Sequence, residues 1–287
     1  MKNESIANRS DLSSQNVKTI SDFIYDRTGI LLGETKRYLI KSRLQNIVKL
    51  TGAASFNELC EKVGQETNSQ LDVLVIDALT TNETFWFRDN APFFAMENKL
   101  LPYYRERRFD TSFNIWCAAC SSGQEPYSLA MLILESGLFN TWDIRITATD
   151  ISSSMLKKAK SGIFNQLEIN RGMPAKYLIK YFEQIDDDQW QVKSHVRQLI
   201  QFKKINLHEL MPAHWVYDLI LCRNVLIYFD LESKKKIFNK LYDCLADDGY
   251  LVLGGSESTL GVCDKFDLES IEKAVFYKKP VLKSSVT

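Results

Sequence analysis

The sequence predicts an α/β chain: a doubly wound, mostly parallel sheet preceded by a small helical N-terminal domain and interrupted by a small inserted subdomain. Three observations lead there. Beyond Phe113, apolar runs alternate with amphipathic stretches (FNIWCAA, EPYSLAMLIL, DIRITATD, SSSMLKKAKSGIF), the pattern of βαβ units. Between Val17 and Arg108, apolar residues recur at three and four spacing with no convincing strand. Between Phe164 and Gln198 runs a polar stretch too long for a plain loop and ill suited to a minimal crossover.

In order along the chain, residues 1–14 read as a disordered N-terminus, and residues 15–108 as the helical domain, with ISDFIYDRTGI, YLIKSRLQNIVKL and LDVLVIDALTT punctuated by Gly29, Gly33 and Gly52. Residues 109–287 read as the sheet domain, with the insertion at about 164–198. The sheet signal resumes at LIQFKKIN, YDLILCRNVLIYF, YLVLGGSE and AVFYKKP, with SKKKIFNKLYDCLA as a helix between two of them, and 281–287 look frayed.

The 287 residues are 45% hydrophobic, enough for a substantial core without staples. Lys and Arg total 36, as do Asp and Glu, so the basic excess that drives phosphate-backbone binding is lacking and nucleic acid is disfavoured. The polar start MKNESIANRSDLSSQN has no apolar stretch of the signal-peptide kind, and no later run approaches the roughly 20 apolar residues of a membrane span. A cytoplasmic protein without membrane insertion is expected. The six cysteines, most in apolar stretches as at Cys117, Cys222 and Cys244, suit reduced core thiols.

The most informative segment is FNIWCAACSSGQEPYSLAML, a strand running into a small-residue turn and then a helix starting near Glu125 or Pro126. An acid at a helix N-terminus favours a bound ammonium over a phosphate, and the GxGxxG of dinucleotide folds is absent. With Gly123 alone, an ordinary βα turn remains the alternative. The next strand, DIRITATD, ends in Asp150, where an acid either grips the hydroxyls of a ribose or simply caps the strand end. The two acids together point to an adenosyl ligand carrying an amino group, as S-adenosylmethionine does.

Six strings then carry a family resemblance: TTNETFWFR (80–88), IWCAACSSGQEPYSLAM (115–131), ATDIS (148–152), INL (205–207), YDLILCRNVLIYFD (217–230) and LVLGGSES (251–258). In this order the chain resembles the chemotaxis receptor methyltransferases of the CheR family. The resemblance implies a sheet of the S-adenosylmethionine-dependent methyltransferase type, and an enzyme that forms methyl esters on glutamate side chains of methyl-accepting receptor helices. It implies that Asn82, Thr84 and Arg88 close the cofactor pocket. Glu125 would meet the methionyl amino group, Asp150 the ribose, and Asn206 with Leu207 the adenine. Arg223 and Asn224, at the end of the fourth strand, would also be cofactor residues, and Tyr228 would lie near the transferred methyl. Gln124 stands where the family more often has glutamate, and Trp86 where it has phenylalanine.

A glutamate with an ordinary pKa of about 4.3 is already ionised at neutral pH, so the acceptor needs alignment rather than a general base. Arg88 could fork the carboxylate and Tyr228 orient it; a structural ion pair and plain core packing are the respective alternatives. The basic stretch holding Lys36, Arg37, Lys41 and Arg43 is a docking surface for an acidic receptor helix or an ordinary solvated face, since residues 1–110 balance at 15 cations and 15 acids. Cys117 and Cys120 form a lone C-x-x-C with no second pair. His195, His208 and His214 lack zinc-hydrolase spacing, and no metal is expected. The insertion, short and without glycine in EQIDDDQWQVKS, suggests receptor recognition without a tethering peptide. A monomer is expected.

Overall fold

The computed structural model describes residues 12–65, 70–107, 111–209, 212 and 215–280. His214 and the two chain ends, 1–11 and 281–287, lie outside the described residues. The chain divides into two compact units, one of Met1–Thr81 with the short segments Ile151–Ser153 and Tyr228–Asp230, the other containing the rest.

The first unit is helical: α1 (Ser14–Thr28), α2 (Arg37–Thr51), α3 (Phe56–Lys62) and α4 (Gln70–Leu79). Each helix buries one stripe. Val17, Ile20 and Ile24 of α1 meet Ile40, Leu44 and Ile47 of α2 and Phe56 and Leu59 of α3 in a single cluster. Ser13 caps α1, its hydroxyl accepting from Asn16 N at 3.1 Å, and Leu12 is 1% exposed. Order therefore begins before residue 14, the expected limit of the disordered N-terminus, because Leu12 belongs to the core.

The second unit opens with a strap, residues 82–90, followed by α5 (Ala91–Ala95), a π-helical turn (Met96–Leu100) and α6 (Leu101–Arg107). The sequence places a boundary at 108; these helices instead group with the sheet. The reason is packing: Trp86, Phe87, Phe93, Leu100 and Tyr104 are buried in the same cluster as Phe113 and Ile115.

Then come β1 (Ser112–Ala118), α7 (Gln124–Ser136), β2 (Asp143–Asp150), α8 (Ser153–Ser161), β3 (Ile163–Asn165), α9 (Gln166–Asn170), α10 (Ala175–Tyr181), β4 (Phe182–Asp186), β5 (Gln189–Val192), α11 (Ser194–Arg197), β6 (Ile200–Lys204), β7 (Tyr217–Cys222), α12 (Leu231–Cys244), β8 (Leu245–Leu253), β9 (Asp267–Ile271) and β10 (Ala274–Lys278). The main sheet has the order β6-β2-β1-β7-β8-β10-β9, with β10 antiparallel to both neighbours and the other pairs parallel. Buried along most of its length, α7 is apolar nearly all round, as a helix lying on a parallel sheet must be.

The insertion forms its own three-stranded antiparallel sheet, β3-β5-β4, with α9 and α10 between its strands. It is bolted to the strap. The Trp86 ring meets Phe164 and Phe182 edge-to-face at 4.7 and 5.4 Å, its Nε1 donates to Glu168 O at 3.0 Å, and its backbone N donates to Arg171 O at 3.1 Å. Tryptophan in place of phenylalanine thus adds an N–H with an acceptor in reach. Gly172, at φ 96°, lies so close that a Cβ would sit 2.4 Å from Trp86 O. Gly172→Ala is accordingly expected to cost about 3 kcal/mol in urea unfolding, from the strained φ and the backbone clash together. A loss below about 1 kcal/mol would mean that strap and insertion are not locked there.

Candidate functional site

The carboxyl ends of β1, β2 and β7 converge, and three irregular segments cross above them: the strap 82–90, the turn Ala119–Gly123 and the loop after Cys222. Six non-glycine residues in these segments have positive φ: Phe87, Asp89, Asn90, Ala119, Ser121 and Asn224. The backbone here is bent against its preference, as it is at built sites.

The first turn is tied down by the neighbouring strand. Cys120 N donates to Thr149 O at 2.9 Å, and Ser121 N donates to Oδ2 of the buried Asp150 at 2.7 Å. Ser121 Oγ donates to Asn82 O at 2.9 Å, which seats the strap on the turn. Gln124, the first residue of α7 and buried, accepts from Ser122 Oγ at 2.8 Å. The neutral amide fills this position without adding a charge next to Glu125. Cys117 at the end of β1 and Cys120 in the turn are free, buried thiols, with burial holding both well above the ordinary thiol pKa.

Glu125 stands in the first turn of α7 and meets Arg223 from the end of β7. Arg223 Nη1 is 2.8 Å from Glu125 Oε2, and Nη2 donates to Asp89 Oδ2 and to Arg88 O, each at 2.8 Å. The Arg223 side chain is 1% exposed, against 13% for Glu125 and 43% for Asp89. One buried guanidinium therefore joins strap, helix and strand. Sequence reasoning placed Arg223 among the cofactor residues; the structure spends its two terminal nitrogens on protein.

Asn224 follows at φ 58°, and the loop rests on a residue that sequence reasoning gave no role, Glu257. Its carboxylate accepts from the backbone N of Asn224, Val225, Leu226 and Gly254 at 2.7 to 2.9 Å. The one available signal was an acid just past a Gly-Gly at a strand end.

At the far side of the same sheet, Asn206 and Leu207 follow β6, both buried, and Asn206 Oδ1 accepts from His208 N at 3.0 Å. Lys240 of α12 donates to the carbonyls of Leu207, His208 and Glu209, and burial lowers its pKa. Thr84 and Arg88 are half-buried in the strap; Arg88 Nη1 donates to Glu83 O at 3.0 Å, and the guanidinium lies 5.1 Å from the Phe85 ring centre. Asn82, Thr84, Arg88, Glu125, Asp150, Asn206, Leu207, Arg223 and Asn224 thus share one unit. Tyr228 ends a 3-10 turn (Leu226–Tyr228) and groups with the helical unit, where its carbonyl accepts from Leu31 N at 2.9 Å.

The four basic residues are not on one face. Arg43 Nη1 donates to Leu79 O at 3.1 Å and Thr80 O at 2.8 Å, closing the end of α4, while Arg37 bonds Leu12 O at 2.9 Å and pairs with Glu34. Lys36 is exposed, and Lys41 lies one turn from Arg37 along α2.

Two carboxylates flanking a tight turn repel phosphate and suit a ligand bearing an ammonium, a sulfonium and hydroxyls. The comparisons with known proteins agree. Residues 82–275 match the family described as "CheR methyltransferase, SAM binding domain", and residues 15–80 the family described as "CheR methyltransferase, all-alpha domain". A chemotaxis protein methyltransferase of Vibrio parahaemolyticus is 40% identical, covering 93% of this chain and 98% of that protein. One from Pseudomonas aeruginosa is 37% identical, covering 89% and 94%, and one from Borreliella burgdorferi 36% identical, covering 93% and 95%.

Burial raises the Glu125 carboxyl above its ordinary 4.5, against the opposing pull of Arg223. A raised folded-state pKa gives stability that is complete below the unfolded value and lost as pH rises through the folded value. The stability of the wild type relative to Glu125→Gln should therefore grow as pH falls from neutral toward 4.5, read from urea midpoints. A flat difference across that window would place Glu125 in an environment no less polar than water.

Proposed function

Because the chain belongs to the CheR methyltransferase family, we propose that it methylates glutamate side chains on the cytoplasmic helices of chemotaxis receptors, acting in the cytoplasm as a monomeric protein-glutamate O-methyltransferase. S-adenosylmethionine is the cofactor, and it supplies an electrophilic methyl group on a sulfonium. The observation that supports the reading best is the acid-lined turn, with Glu125 and Asp150 on one side and the strap holding Arg88 on the other.

Asp150 binds the ribose hydroxyls in this reading, Asn206 and Leu207 border the adenine, and Asn82 and Thr84 close the pocket. Glu125 binds the ammonium. Arg223 and Asn224 complete the wall, Arg223 by holding Glu125 in place. Arg88 presents a fork of donors to the acceptor carboxylate, and Tyr228 orients it. With the acceptor already ionised, catalysis is positioning, an effect that can reach roughly 7 to 11 kcal/mol. Receptor recognition is independent of a tethering peptide; the turn joining β4 to β5 carries Asp187 and Asp188 and no glycine. The direct experiment is transfer of label from isotopically labelled S-adenosylmethionine to receptor-bearing membranes as base-labile esters. Absence of transfer would remove the glutamate reading.

Asp150→Ala should weaken S-adenosylhomocysteine binding by about 1.5 to 3 kcal/mol in calorimetry while the protein stays folded, the range for hydrogen bonds to a charged group. Unchanged affinity would take Asp150 out of the site. As for docking, Arg43 and Arg37 bond within the helical unit, so that reversing them would disturb the fold, and the charges of the basic stretch are tested at its two lysines, Lys36 and Lys41. Reversing both to glutamate should raise the Michaelis constant for receptor, leave cofactor affinity intact, and flatten the salt dependence of methylation, since exposed charges act over about a Debye length of 8 Å. Normal methylation by the reversed variant across a salt series would make α2 an ordinary solvated helix.

A further inference from the structure

Glu257 does more than cap a turn. Its Oε1 accepts from Val225 N at 2.9 Å, Leu226 N at 2.7 Å and Ile227 N at 3.3 Å, and its Oε2 from Asn224 N at 2.7 Å and Gly254 N at 2.8 Å. Four consecutive amides of the loop after β7, and one at the end of the adjacent strand β8, thus converge on one carboxylate. Successive N–H groups aimed at one point form an anion-binding nest. Here the anion belongs to the protein itself. Asn224, the first of these donors, sits at φ 58°.

The approach is too close for any side chain at Gly254: a Cβ there would lie 2.7 Å from both Asn224 Nδ2 and Glu257 Oε2. Carboxylate, glycine and loop form a single close-packed joint between β7 and β8, with Gly254 leaving room for the asparagine side chain.

We propose that Glu257 is a positioning residue for methyl transfer, fixing the loop 224–227 that follows Arg223 and displays Asn224. The proposal rests on the role assigned above to Asn224. Glu257 touches neither cofactor nor acceptor; it acts through the backbone of the loop. A carboxylate offers two acceptor oxygens to five donors, whereas a carboxamide of the same shape offers one and turns an NH2 toward N–H groups. Glu257→Gln should therefore release half the nest without creating a cavity.

The test compares wild type, Glu257→Gln and Gly254→Ala by three measurements: amide hydrogen exchange at 224–227, calorimetric affinity for S-adenosylhomocysteine, and steady-state methylation of receptor membranes. In both variants, exchange at 224–227 should quicken and kcat should fall about ten-fold or more, the usual scale for losing a supporting hydrogen-bond partner, with a smaller change in cofactor affinity. A kcat within about two-fold of wild type in a variant whose loop exchange has quickened would overturn the proposal, as would unchanged exchange. Gly254→Ala strains the same joint from the opposite side, so it decides the matter if Glu257→Gln does not fold. Failure of both to fold would overturn it in favour of a purely structural carboxylate. If wild type labels no receptor, the glutamate reading fails separately, and exchange with cofactor affinity still decides whether Glu257 sets the loop.

Discussion

Burying a guanidinium is costly unless its charge is met, and Arg223 is sealed at 1% exposure, with both terminal nitrogens bonded and Nε without a hydrogen-bond partner among the described residues. The partners that meet it come from different parts of the second unit: Glu125 from the start of α7, Asp89 and the Arg88 carbonyl from the strap. The constraint runs outward. The strap must keep positive φ at Phe87, Asp89 and Asn90 to bring its carbonyl and carboxylate to Arg223, and Trp86 must be anchored in the insertion to hold the strap there. Glu125 must face inward, which places a negative charge at the turn where an ammonium can be received.

The same economy explains where strain is concentrated. A non-glycine residue at positive φ costs about 1 to 3 kcal/mol, and six such residues lie in the strap, the first turn and the loop after β7. Each is held by a hydrogen bond at or next to the bent residue: Ser128 Oγ accepts from Phe87 N, Asp89 Oδ2 from Arg223, Phe87 O from Asn90 N, Thr149 O from Cys120 N beside Ala119, Asp150 from Ser121 N and Glu257 from Asn224 N. Catalysis by positioning needs such over-determined backbone, because a loosely held carboxylate or guanidinium forfeits the gain from alignment.

The sheet was legible because parallel strands buried on both faces read as apolar runs, as in FNIWCAA and YDLILC, and because a small-residue turn before a helix has few other meanings. Asp150 and Glu125 were legible from their places at a strand end and a helix start. The boundary at 108 was misplaced for a physical reason: α5 and α6 have the same 3.6-residue period as α1 to α4, and periodicity reports an apolar face without reporting what covers it. Arg43 looked like part of a basic face because spacing along α2 does not reveal that its guanidinium closes α4. Glu257 and the second duty of Arg223 were invisible because both depend on partners some thirty to a hundred and thirty residues away in sequence, fixed by strand order alone.

The most direct measurement is a double-mutant cycle on unfolding free energy with Arg223→Met and Glu125→Gln. If the buried pair organises this part of the molecule, the coupling between the two positions should reach about 2 kcal/mol or more, with the double mutant more stable than Glu125→Gln alone, since that single variant strands the guanidinium. A coupling within about 0.5 kcal/mol of zero would contradict it, leaving strap, helix and strand held together by packing and not by this charge.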